Sequence, residues 1–275
     1  MTENNSSKAR AKDGCLLHYR LHSQPGKPRL ALIHSLALDA TIWDGVVSEL
    51  AGDVEILAYD CRGHGQSERR PGAYTVQLFA EDLAAIFDDC GWSSATVAGC
   101  SMGGCVAQAF AAAYPKRASG LALIDMTAWY GPTAVEDWRQ RYAKVAEAGF
   151  AATLTFQTTR WFSEDFIATH PDIVERLSRV FLASDHPCYA ASCSLLGSAD
   201  LRDAIRALRI PVSVIVGEQD YATPLAMSQT MQSLIPGATL TVIEKARHLT
   251  PVENPARIAA LLKDLLQRVN ALQGA

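Results

Sequence analysis

Short apolar runs alternate along the chain with longer stretches in which apolar residues return every three or four positions. The runs at residues 15–22, 29–34, 54–59, 95–98 and 120–125 are rich in Leu, Ile, Val and Ala, and most empty into loops marked by Gly, Pro, Asp or Ser, which predicts strands. Between them, residues 43–50, 76–90 and 105–114 predict helices; in the second, Leu78, Phe79, Leu83, Ile86 and Phe87 share one face, and Pro115 stops the third. Strands alternating with helices in this manner predict a mainly parallel sheet.

The alternation breaks once. Residues 130–198 show no strand pattern, while 135–148, 151–159, 171–182 and 189–196 read as successive helices, an all-helical cap above the sheet. Strand character returns at 210–216 and 239–243, and a last helix over 255–272 closes the sheet. The expected organisation is therefore a core of residues 14–129 and 199–275, a cap of residues 130–198, and a polar, flexible tail over residues 1–13.

A chain of 275 residues is long enough for one large core. Its net charge of −4 offers no basic stripe, so nucleic acid is excluded as the expected partner. There is no apolar run of the roughly eighteen residues that a membrane span needs, and the first ten residues lack the apolar centre of a signal peptide, so a cytoplasmic protein is expected. Seven cysteines without Cys-x-x-Cys spacing suggest neither a disulfide framework nor a zinc site; free, buried thiols are expected. The oligomeric state is left open.

Chemistry enters at Gly99-Cys100-Ser101-Met102-Gly103, between the strand at 95–98 and the helix at 105–114. Gly-x-Ser-x-Gly in that setting is a nucleophile elbow: a sharp turn holds a serine hydroxyl proud of the sheet, and the glycines remove Cβ atoms that would clash. Asp220 and His248 follow in the loops after the last two predicted strands, and parallel strands bring such loops to one edge. A serine hydroxyl becomes a good nucleophile when an imidazole takes its proton, and the imidazole needs a carboxylate to fix its tautomer. Asp125, at another strand end, and Glu218 compete with Asp220. Asp220 is preferred because it lies in the loop after the penultimate strand, with Pro224 fixing the turn. His248 is preferred over His34, His64, His170 and His186 because it alone follows the final strand; His34 and His64 read as structural. A developing oxyanion would be held by the backbone amides of Met102 and Leu36. Cys100 and Cys105 flank the elbow and are read as packing residues.

With Asp60-x-Arg62-Gly63-His64-Gly65-x-Ser67, Gly99-x-Ser101-Met102-Gly103-Gly104 and His248-Leu249-x-Pro251-Val252-Glu253 in hand, the chain resembles the α/β-hydrolases over residues 30–272. Ser35-Leu36, Arg160-Trp161-Phe162, Tyr189-Ala190-Ala191-x-Cys193 and Asp200-Leu201-Arg202 make it most similar, within that family, to the 3-oxoadipate enol-lactonases of aromatic catabolism. The resemblance implies an α/β-hydrolase fold, a mainly parallel sheet flanked by helices with a helical cap inserted after the sixth strand. It also implies a serine hydrolase that opens a small lactone or ester through an acyl-enzyme on Ser101, with no metal and no organic cofactor. Ser35, Arg160 and Trp161 would then contact the substrate; for Arg160, a place on a mixed-charge cap surface is the competing reading. Two departures sit near the site: Arg247 stands where the family usually has a small residue before the histidine, and His34-Ser35-Leu36 where it usually has Asn-Ser-Leu. A carboxylesterase, a carbon–carbon bond hydrolase and a cofactor-free perhydrolase would use the same three residues, and the fold also serves as a small-molecule receptor.

Overall fold

In the computed structural model, which describes residues 4–274, the backbone of the described residues builds one eight-stranded sheet and eleven α-helices. The strands are β1 (Asn4–Arg10), β2 (Leu16–His22), β3 (Arg29–Ile33), β4 (Glu55–Tyr59), β5 (Ala95–Cys100), β6 (Ala118–Ile124), β7 (Val212–Gly217) and β8 (Thr239–Ile243), in the spatial order β1-β2-β4-β3-β5-β6-β7-β8. From β4 to β8 every neighbouring pair is parallel, as the alternating pattern predicts; only the pairs that include β2 are antiparallel. The central strands β4, β5 and β7 are buried at every position, which explains why they read as unbroken apolar runs.

The first helices are α1 (Asp44–Leu50), which follows a short 3-10 turn, α2 (Val76–Asp89) and α3 (Met102–Ala113); the last is α11 (Pro255–Gln273). α2 packs with α3, where Phe87 meets Phe110 edge-on at 5.2 Å, and α1 packs with α11. Thr75 caps α2, its hydroxyl accepting from the Leu78 amide.

The expectation of a flexible tail is corrected over residues 4–13. β1 pairs with β2 from Asn4 opposite His22 to Arg10 opposite Leu16, Ala9 is fully buried, and Asp13 takes a hydrogen bond of 2.9 Å from the buried Arg62. The polar composition that suggested disorder belongs to an edge strand with one face in water. Residues 1–3 lie outside the described residues.

After β6 the chain enters four helices: α4 (Ala134–Trp161), α5 (Glu164–Thr169), α6 (Pro171–Leu182) and α7 (His186–Ser198). Two expected helices, 135–148 and 151–159, are the halves of α4, bent where Gly149 takes φ 79°. The short α5 was not expected; it holds little apolar periodicity, and Ser163 starts it by accepting from the Phe166 amide. Phe150 meets Phe181 and Tyr189 edge-on at 5.1 Å, and Trp161 meets Phe181 at 5.5 Å, so the cap has its own aromatic centre. An antiparallel bridge between Trp129 and Asp200 brings together the points where the chain leaves and re-enters the core. Three further short helices, α8 (Arg202–Arg206), α9 (Leu225–Leu234) and α10 (Thr250–Glu253), lie in the core connections.

Candidate active site

Ser101 sits between the end of β5 and the start of α3 with φ 53° and ψ −117°, a conformation that L-residues adopt at a cost and that persists only when the surroundings over-determine it. Here the Ser101 amide donates to Ile124 of β6 at 2.9 Å, and α3 presses against the end of β3. A Cβ on Gly103 would run into the Ile33 and His34 carbonyls, and one on Gly99 into the Gly103 backbone. Both glycines of the motif are therefore there for close approach.

The two loops after β7 and β8 converge on that serine. The Ser101 hydroxyl lies 2.9 Å from His248 Nε2, and His248 Nδ1 lies 2.8 Å from Asp220 Oδ2. A carboxylate at Nδ1 puts the ring proton there, which leaves Nε2 as the acceptor of the serine proton. Asp220 is itself fixed: its Oδ1 accepts from the Ala222 and Thr223 amides at 2.7 and 3.1 Å, and its Oδ2 from the Thr223 hydroxyl at 2.8 Å. Burial works to raise the Asp220 pKa, but attraction to His248 and these hydrogen bonds outweigh it and hold the carboxyl below its ordinary range.

The rival residues do other work. Asp125 is fully buried and accepts from the Gly217 amide at 3.0 Å and from the Thr250 amide and hydroxyl at 2.9 and 2.7 Å, tying β7 to the segment after His248. Burial, reinforced by the charge of Asp220, pushes its pKa up. Glu218 accepts from the Lys245 amide. His34 accepts from the Cys61 amide at Nε2 and donates from Nδ1 to the Ser35 carbonyl at 2.7 Å, and its ring packs 5.2 Å from His64. Burial lowers the pKa of both rings, His64 to about 3. His170 stacks on Phe166 and His186 packs on Phe150, both in the cap. Burial raises the Cys100 thiol well above its ordinary pKa and Cys105 to about 12, which keeps both protonated.

Above Ser101 and His248 lies a small chamber whose walls include Ser35, Leu36, Arg160 and Trp161, so the residues expected at the substrate do meet there. Neither the Leu36 nor the Met102 amide donates to a protein acceptor among the described residues. Tyr130, Trp138, Arg141, Gln157 and Arg160 form a wall shared with a second, outer chamber of about 600 Å³. Arg141 donates from Nε to the Tyr189 hydroxyl at 3.1 Å and from Nη2 to Gln157 Oε1 at 2.8 Å, with its guanidinium 4.9 Å from the centre of the Trp138 ring. Among the described residues no carboxylate lies within ion-pair distance of Arg141 or Arg160. Burial, together with the charge of Arg141, lowers the Arg160 pKa to about 10. The chamber thus carries two uncompensated cations.

The sequence pattern of the alpha/beta hydrolase fold family matches residues 28–255. The chain belongs to the α/β-hydrolase family. It is 32% identical to 3-oxoadipate enol-lactonase 2 of Acinetobacter baylyi over 92% of this chain and 94% of that protein. The solved enol-lactonase of Burkholderia xenovorans LB400 superposes with a TM-score of 0.90 at 30% identity, covering 95% of this chain and 100% of that one. A thermophilic esterase of Thermogutta terrifontis, solved with malate bound, gives a TM-score of 0.88 at 28% identity over 96% and 99%.

Motif and chain order point to Ser101, Asp220 and His248, which the fold of this hydrolase brings within hydrogen-bond distance of one another, whereas they do not point to Arg141, Gln157 or Trp138. The faint signal was there: Trp138 and Arg141 are three apart in a helix and so share a face. The Asp60–Ser67 loop, one of the segments that carry the resemblance, is a brace. Asp60 accepts from the Ala40 and Gln66 amides and pairs with His18 at 2.9 Å, while Arg62 pairs with the buried Asp82. Among the described residues no group of three or more His, Cys, Asp or Glu is placed to hold a metal ion, and no helix is long and apolar enough to cross a membrane.

Proposed function

We propose that this hydrolase opens small lactones or esters bearing a carboxylate, with 3-oxoadipate enol-lactone as the leading substrate, through an acyl-enzyme on Ser101. In this reading His248 Nε2 takes the Ser101 proton across 2.9 Å as the hydroxyl attacks the carbonyl, and Asp220 stabilises the imidazolium that results. The Leu36 and Met102 amides receive the oxyanion, each contributing about 3 kcal/mol to the transition state. His248 then gives its proton to the departing enol oxygen, and a water that it activates releases the acid.

The observation that carries the choice of substrate is the pair of uncompensated guanidinium groups, Arg141 and Arg160, in the wall above the serine. A cation without a countercharge in a half-buried site favours an anion. The relatives support the same choice: two are enol-lactonases, and the Thermogutta esterase was solved with malate, a dicarboxylate, bound. That esterase also makes a carboxylesterase the second reading.

Steady-state rates on enol-lactones and on matched esters with and without a carboxylate test the proposal. The expected result is a kcat/KM preference of about tenfold or more for the carboxylate-bearing member of each pair. Equal rates on both members would remove the anionic reading. Labelling by a fluorophosphonate should occur in the wild type and vanish in Ser101→Ala; labelling that persists would remove the acyl-enzyme.

A further inference from the structure

We infer that Arg247 is a positioning residue that sets the anion-binding end of the cap in register with His248; this rests on the reading above. Arg160 has no hydrogen-bond partner of its own among the described residues, so its place over Ser101 depends on the backbone that carries it. That backbone is the C-terminal end of α4, where the last carbonyls of a helix lack intrahelical donors. Arg247 Nη1 donates to two carbonyls there, Thr159 at 2.7 Å and Phe162 at 3.1 Å, on either side of Arg160 and Trp161. A cation at a helix C-terminus also meets the negative end of the helix dipole.

The rest of the histidine loop grips the same segment. The Leu249 amide donates to the Trp161 carbonyl at 3.1 Å. Glu253 accepts the Arg247 amide at 2.7 Å with one carboxylate oxygen, and with the other it accepts the Ser163 amide at 3.0 Å and hydroxyl at 2.6 Å. Thr159, Trp161, Phe162 and Ser163 are therefore all bonded to residues within five positions of His248 in sequence. Proton transfer at His248 and carboxylate binding at Arg160 become parts of one rigid unit, whereas among the described residues the first half of α4, beyond the Gly149 bend, has no such tie to this loop. The ion pair to Glu164 at 3.8 Å lies at the rim, with Glu164 largely in water, and is not the working contact.

The test measures kcat/KM on a matched pair of esters, one with a carboxylate and one neutral, in Arg247→Met, Arg247→Lys, Glu164→Gln and Arg160→Met. Arg247→Met is expected to cut the preference for the anionic ester by about tenfold, through KM more than kcat, and to change the rate on the neutral ester by less than about threefold. Arg247→Lys should restore part of the preference, because an ammonium can donate to both carbonyls, and Glu164→Gln should leave it unchanged. Equal losses on both esters, or an unchanged preference in Arg247→Met, would overturn the inference. A preference lost in Arg160→Met but kept in Arg247→Met overturns the clamp and leaves the anionic substrate standing. The absence of any preference in the wild type removes the anionic reading and the clamp with it.

Discussion

At the sheet edge the side chains of Asp220, His248 and Asp125 are each held by polar neighbours, whereas in the cap wall the charged groups are held by neutral partners or by backbone alone. Asp220 accepts three hydrogen bonds besides that of His248, and Asp125 accepts three from β7 and Thr250. Arg141 leans on Tyr189 and Gln157, and Arg160 on no hydrogen bond at all among the described residues. The edge is preorganised for one reaction, and such fixed geometry is where catalytic electrostatics gain most. The cap wall keeps two guanidinium groups without a carboxylate partner among the described residues. Under the proposed function, reaction and substrate choice are thus written in different parts of the fold.

The largest effects should come from breaking the edge. Asp220→Asn is expected to lower kcat by about four orders of magnitude, because the wrong tautomer of His248 then faces Ser101. Asp125→Asn is expected to do the reverse. It puts an N–H donor against amides that already donate, which costs about 2 kcal/mol of stability and lowers Tm, while kcat of the folded enzyme stays within about tenfold. Similar kcat losses in the two variants would mean that both carboxylates serve the reaction and that the edge is one coupled site. Intermediate effects should come from the cap wall. Removing one charge-assisted hydrogen bond by Arg141→Met is expected to cost about 1.5–3 kcal/mol, which is about tenfold to a hundredfold in kcat/KM for carboxylate substrates and little for neutral ones. A neutral ester that suffers equally would show Arg141 to be a prop for Tyr189 and Gln157.

The same contrast decides what the sequence could reveal. Ser101, Asp220 and His248 were legible because their positions are tied to topology: a strand end in a parallel sheet fixes where a loop residue goes, whatever its neighbours. Burial of whole strands made β4, β5 and β7 legible as well. Arg141 was not, because the α4 face that holds it carries Trp138 and Arg141 among charged residues, and which face turns inward is set by packing on α6 and α7. β1 was missed for a related reason: an edge strand half in water has a composition like that of a tail, and only pairing with β2 tells them apart. Gly149, at φ 79° and ψ 166°, breaks the helical path between the two halves of α4, which is where the pattern separates two helices.

The smallest expected effect is on stability and concerns the brace beneath the edge. Burial works to raise the Asp60 pKa, but the His18 bond, the nearby His34 and the Ala40 and Gln66 amides together bring it from 3.8 down to about 2. A carboxylate whose pKa is lower folded than unfolded stabilises the fold above the unfolded value and loses that contribution as pH falls through the folded one. The window therefore runs from about pH 4 down to about pH 2, and the amount is on the order of 2 kcal/mol. Urea unfolding of wild type and Asp60→Asn at a series of pH values measures it. The stability difference between the two should be largest above about pH 5 and shrink toward pH 2, leaving the part that belongs to lost hydrogen bonds. A difference that stays constant across that range would mean that Asp60 braces the Ala40 and Gln66 amides through geometry alone. In that case the sheet edge, like the cap wall, would owe its order to neutral contacts as much as to charge.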